Sequence, residues 1–144
     1  MQTHEFKKEY IAVCDGIFKE NSGTINLPIA RKEGSIIERC INKNGEIAIT
    51  HYKVLHQIDN KISVVHCLLE TGRTHQIRVH LSAIGNPILG DTLYNANFAK
   101  YPKIERQLLH AYKVEFIHPI TKKRMSYTCP IPKDFYSFIQ KVPY

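Results

Sequence analysis

One stretch constrains the folding of this chain more than any other: Leu69 to Tyr94, L-E-T-G-R-T-H-Q-I-R-V-H-L-S-A-I-G-N-P-I-L-G-D-T-L-Y. An apolar, β-prone run enters it and must stop at Thr71-Gly72. Thr74 is then a natural N-cap for a helix over His75 to Ile84. Gly85, with Pro87 two residues later, predicts the helix end. Within that helix Ile77, Leu81 and Ile84 fall at i, i+4 and i+7 and predict a buried stripe. His75, Arg78 and Ser82 fall at i, i+3 and i+7 on another face. Two arginines, two histidines, a glutamine and a threonine lie within the eight residues Arg73 to His80. So many donors beside a helix N-terminus suit an anionic ligand, a phosphate or a carboxylate.

The flanking sequence reads mostly as strand. Glu9 to Val13 is short, apolar and β-prone and ends at an Asp15-Gly16 turn. Thr24 to Ile29 reads as a short extended piece closed by Pro28, and Gly34 to Gly45 as a loop or loose hairpin. Ala48 to Gln57 and Ile62 to Glu70 form an antiparallel hairpin across Asp59-Asn60. Leu109 to His118 is a long strand turning at His118-Pro119, with Met125 to Cys129 as its partner. Pro132 to Val142 reads as a C-terminal helix whose Phe135, Phe138 and Ile139 pack on the sheet. The expected class is α+β: a mainly antiparallel mixed sheet with a few flanking helices.

At 144 residues, with 43% hydrophobic content, the chain fits a single domain (1–144) and is not globally disordered. No apolar run approaches the ~20 residues of a membrane span, and the N-terminus lacks the apolar core of a secretory signal. Cys14, Cys40, Cys67 and Cys129 include no C-x-x-C pair, which disfavours a zinc ribbon. They read as free buried thiols in a reducing cytoplasm. His75 and His80, five residues apart, stand on different helix faces, unlike a metalloprotease pair, so no metal site is expected there. A formal charge of +7 favours a polyanionic partner without specifying one.

With these residues in view, the chain resembles the RluA-type RNA pseudouridine synthases, over essentially its whole length but only across the second half of their catalytic domain. Thr71 to Tyr94 carries most of the match. K-K-E-Y-I-A-V (Lys7 to Val13), A-I-T-H-Y-K-V-L (Ala48 to Leu55) and L-L-H-A-Y (Leu108 to Tyr112) follow the family in order and spacing. The resemblance implies isomerisation of uridine to pseudouridine in structured RNA, rRNA or tRNA, without metal or organic cofactor, on a flipped nucleotide. It places Tyr10 at the family's tyrosine position and Arg78 at that of the arginine that pairs with the catalytic aspartate. Arg73, Thr74, His75 and Gln76 become substrate-binding candidates.

The H-R-L-D segment that carries the family's catalytic aspartate has no counterpart here. Asp15, Asp59, Asp91 and Asp134 lie in other contexts, and Asp91 reads as a turn-former or cap. The chain is therefore expected to be a truncated family member, inactive alone, with Arg78 a donor fork in need of an anion. It is also expected to expose a strand edge and an apolar face toward a missing N-terminal half or a second copy. A non-catalytic RNA-binding module and a self-associating fragment are the alternatives. Arg73 and Arg78 also read as surface residues paired with Glu70 or another acid, Tyr10 as a core aromatic, and His110 as a buried, satisfied histidine. Tyr94, Tyr101 and Tyr112 suit either base stacking or core packing, and Lys122 to Arg124 a solvated turn.

Overall fold

A computed structural model describes residues 6–139. Its central strand, β1 (Phe6–Asp15), carries the run Ile11 to Cys14, every member of which is buried. Apolar side chains on both faces of one strand require cover on both faces of the sheet, and the chain supplies it. β5 (Ile49–Ile58) and β6 (Ile62–Leu69) form a hairpin that adds to one edge of β1. β7 (Leu109–Ile117) and β8 (Arg124–Thr128) form another that adds to the opposite edge. With β2 (Ser22–Asn26) outside β5, the order is β2-β5-β6-β1-β7-β8. Every pairing among the described residues is antiparallel, in keeping with the α+β class and the mainly antiparallel sheet expected.

On one face, Ala12, Cys14, Val65 and Cys67 pack against Ile77 and Leu81 of α1 (Gln76–Ala83), the longest helix among the described residues. On the other, Ile11, Val13, Ile62 and Val64 pack under Leu89, Leu108, Ile131 and Phe135. Each such side chain stabilises the fold by roughly 1.5–3 kcal/mol on full burial. The chain crosses between faces at Ile88 and Leu89, where the Leu89 N–H donates to the Val13 carbonyl at 2.9 Å.

Several expectations need correction. Thr24 to Ile29 is not one extended piece: β2 ends at Asn26, and Ile29 opens β3 (Ile29–Arg31). That strand pairs with β4 (Arg39–Ile41), inside the region read as a loop, as a separate two-stranded sheet. Ile84 lies outside the buried stripe, 36% exposed. The C-terminal segment is a 3-10 turn (Lys133–Phe135) followed by α2 (Tyr136–Ile139); Phe135 is fully buried and Phe138 packs beside it. The rest of the predicted helix, through Val142, lies outside the described residues. β2 and β8 each pair on one side only among the described residues. The most exposed large apolar groups, Ile36 and Ile120, stand at loop positions rather than on a sheet face. Only Cys14 and Cys67 of the four free thiols are buried.

Candidate active site

The H-Q-I-R-V-H word divides by helix face into three tasks. Ile77 and Val79 are core, Ile77 beside Leu81 in the cluster under the sheet and Val79 in a separate cluster with Ile29 and Ala48. Gln76 and His80, four residues apart, point inward to a buried polar chain. The Gln76 amide donates to the Ile49 carbonyl (3.0 Å) and to Thr50 Oγ1 (2.9 Å), while its oxygen accepts from Thr71 Oγ1 (2.7 Å) and the Arg73 N–H (3.0 Å). His80 Nε2 donates to the Leu27 carbonyl at 2.8 Å, so its Nδ1 accepts from Thr50 Oγ1 at 2.9 Å. Burial holds the His80 pKa below its usual value, with the Leu27 bond opposing. Such a fully satisfied network fixes α1 against β5. Gln76, a substrate-binding candidate from sequence, has its amide wholly engaged inside the protein.

The third face, His75, Arg78 and Ser82, turns toward the G-D-T-L-Y segment. Arg78 donates from Nε to Asp91 Oδ2 and from Nη2 to Asp91 Oδ1, both at 2.9 Å. The carboxylate is fully buried, and Asp91 Oδ1 also accepts the N–H groups of Leu93 and Tyr94. Asp91 is thus the turn-former expected, and in addition the anion that Arg78 was thought to lack. The guanidinium lies 5.1 Å from the centre of the Tyr94 ring, a cation–π contact. Its pKa is raised, first by the hydrogen bonds to Asp91. Ser82 Oγ donates to the Tyr94 carbonyl at 2.8 Å.

His75 corrects the expected cap. The helix begins at Gln76; His75 itself is the N-cap, left-handed at φ 56°, with no side-chain cap bond, and Thr74 is exposed. A non-glycine residue at positive φ costs about 1–2 kcal/mol, and here the side chain is held. Tyr94 Oη accepts the Arg39 N–H at 2.9 Å and shares a 2.7 Å hydrogen bond with His75 Nδ1. Burial, then the positive charges of Arg78 and Arg39, lower the His75 pKa, with Asp91 opposing. The helix stops where the sequence said it would. Gly85 (φ 89°) donates to the Ser82 carbonyl and Asn86 to the Leu81 carbonyl, the paired bonds of a Schellman motif.

Tyr10 lies on the α1 side of the sheet, packed against the Ala12, Cys67 and Ile77 cluster. Burial raises the pKa of its phenol. Arg73 pairs with Glu46 at 2.7 Å, not with Glu70, and donates from Nε to the Ile47 carbonyl at 2.7 Å. Arg73 and Thr74 line a groove with residues sequence reading missed, Arg31 and Arg39. His110 is half-exposed rather than buried, its ring edge against Phe135. Tyr112 packs on the opposite face of the sheet from Tyr10, its hydroxyl on Glu9, with its pKa pushed up to about 12 chiefly by burial. Among the described residues no three His, Cys, Asp or Glu side chains gather as a metal-ligand set, and no helix is long and apolar enough to cross a membrane.

These features define an antiparallel α+β fold whose polar site centres on a carboxylate-held arginine. A family model described as RNA pseudouridylate synthase matches residues 1–83, and the chain belongs to that family, in its RluA-type branch. It is 43% identical over 134 residues to the RNA pseudouridine synthase YjbO of Bacillus subtilis, covering 93% of this chain and 46% of that protein. With ribosomal large subunit pseudouridine synthase D of Nitrosomonas europaea it shares 34% over 148 residues, covering 99% and 42%. The chain therefore spans under half the length of these relatives. Human RNA pseudouridylate synthase domain containing 1 superposes with a TM-score of 0.76 at 29% identity, over 88% of this chain and 55% of that one.

Proposed function

We propose that these residues, acting as one domain, form the C-terminal part of a uridine-isomerising catalytic domain that acts on structured RNA, rRNA or tRNA. Tyr10 and Arg78 stand on one wall of the uridine pocket. The observation that carries this reading is the Arg78–Asp91 fork. It uses two of the five guanidinium N–H donors and fixes the plane of the group. The remaining donors are available to a second carboxylate, the role the family gives to its aspartate. Arg78 is then a bridge between an internal acid and a catalytic one.

The reaction breaks the N–C glycosidic bond and forms a C–C bond to the same base, so it needs no net oxidant or reductant. Burial raises the Tyr10 pKa, which moves the phenol away from a base poised near neutral pH. In these residues Tyr10 is a packing surface for the flipped base rather than a phenolate. Gln76 and His80 position the helix from behind, while Arg73, Thr74 and the Nε2 edge of His75 offer polar contacts to RNA.

The sequence holds no H-R-L-D, and Asp91 is fully buried under Arg78. On this reading these 144 residues convert uridine only when an H-R-L-D segment stands beside Arg78. The test mixes it with a family N-terminal half carrying H-R-L-D and assays RNA for pseudouridine. Conversion only in the mixture, abolished by Arg78→Ala, is the expected result. A complex that forms, binds RNA and converts nothing refutes it in favour of a non-catalytic RNA-binding module.

A further inference from the structure

Arg31 and Arg39 are direct cross-strand partners in the β3–β4 hairpin. Like charges opposite one another in an antiparallel pair are unfavourable, and here the pair is not neutralised. Arg39 donates from Nη1 to the Ile37 carbonyl at 3.2 Å; Arg31 has no side-chain hydrogen bond or ion pair among the described residues. Both line a groove of about 340 Å3 between the hairpin and the chain just before α1, together with Gly72, Arg73 and Thr74. The acid on this groove is Glu46, paired with Arg73, with its side chain 72% exposed. Three positive charges face one negative one, and an ion pair that open to water holds Arg73 weakly.

We infer that this groove is a binding site for the sugar–phosphate backbone of single-stranded RNA, one phosphodiester bridging Arg31 and Arg39 across the hairpin and a neighbouring one taking Arg73 from Glu46. The inference rests on the reading of RNA as substrate but not on the isomerisation. The groove is near the lower limit of ligand sites, roughly 300 Å3, which suits one strand and not a duplex. A phosphate between Arg31 and Arg39 turns their repulsion into two charge-assisted hydrogen-bonded contacts. The hairpin is also coupled to the candidate active site: the Arg39 N–H donates to Tyr94 Oη, which holds His75 and stacks under Arg78. An RNA strand seated in the groove is thereby led toward Arg78.

The test is anisotropy of a labelled oligouridylate of roughly ten nucleotides, titrated with the 144-residue chain across a salt series. Arg31→Gln/Arg39→Gln is compared with Lys122→Gln/Lys123→Gln, which removes equal charge from the β7–β8 turn. The arginine variant is expected to lose about tenfold or more in affinity at low salt. Its log–log salt slope should fall by about 0.7, the value for the one single-strand phosphate that the two arginines share. Its urea midpoint should stay level or rise, because the cross-strand repulsion is gone. Equal losses in the two variants, tighter binding of a duplex than of the single strand, or no binding by the parent chain each overturn the inference. Conversion by the mixed halves is scored separately. Arginine-dependent binding without conversion refutes the isomerase reading and leaves the groove standing. Conversion with unaltered binding by the arginine variant does the reverse.

Discussion

Asp91→Ala is expected to be the most costly single side-chain truncation at the polar site. The carboxylate is fully buried and the Arg78 side chain 12% exposed. Removing one partner of a buried ion pair costs about 3–5 kcal/mol, because the other charge is left uncompensated. Two backbone N–H groups, of Leu93 and Tyr94, lose their acceptor as well. Arg78 retains some access to water, which places the loss near the lower end, about 3 kcal/mol. For a chain of this length that lowers the melting temperature by about 10 °C. Asp91→Asn keeps the shape and an acceptor for the turn and should cost only about 1–2 kcal/mol. The chain has no tryptophan, so urea unfolding is followed by far-UV circular dichroism, with equal m-values as the check on two-state behaviour. Adding Arg78→Ala to Asp91→Ala should show a coupling of about 2 kcal/mol. A loss below about 1 kcal/mol for Asp91→Ala, or coupling below about 0.5 kcal/mol, refutes the claim that the pair anchors this site.

Gly90→Ala should destabilise by about 2 kcal/mol or more, since φ is 78° and a Cβ would stand 2.1 Å from the Arg106 carbonyl oxygen. Gly34→Ala, at φ 81° with open space around it, should cost only about 1 kcal/mol; similar midpoints for the two variants contradict this. His80 and His75 both have folded pKa values below the ordinary 6.5. Their contribution is thus complete above that pH and declines as acidification protonates the unfolded chain first. Stability should fall from pH 7 toward pH 5.5, less steeply in His80→Gln, and a rise over that window is the contrary result. A thiol reagent should label exposed Cys129 first and buried Cys14 and Cys67 only on unfolding, since burial pushes the Cys67 thiol up to about 12 and Cys14 well above its usual value. Equal native rates for all four thiols contradict the packing.

The hairpins on either side of β1 were legible because each depends on local signals: partial alternation over Ala48 to Gln57, a turn at Asp59-Asn60, a turn at His118-Pro119. The end of α1 was equally local, resting on Gly85. Its start was not. Thr74 has the chemistry of a cap, but Tyr94, nineteen residues on, holds His75 in the left-handed position and makes it the boundary. The partner of Arg78 was missed for the same reason. Asp91 sits in a glycine-flanked turn that serves for a capping role, and only the fold shows that the turn closes back over α1. The hairpin β3–β4 was hidden because three-residue strands give no periodicity to read. Two of its arginines then escaped notice as scattered surface charge.

The place of β1 in the sheet has a consequence for how the chain is made. Its two neighbours, β6 and β7, begin at Ile62 and Leu109, so β1, complete at Asp15, is flanked on both sides only after 94 further residues have begun to emerge. At roughly 5–20 residues per second of synthesis, that is a wait of about 5–20 s. Until β6 emerges both edges of this apolar strand are open, and until β7 emerges one still lacks its hydrogen-bonding partner; closing so distant a contact is intrinsically slow. The sheet therefore cannot be completed before β7 has been translated. Premature release before Leu109 leaves a nascent species with an unpaired β1 edge, a template for aggregation or for capture by a chaperone.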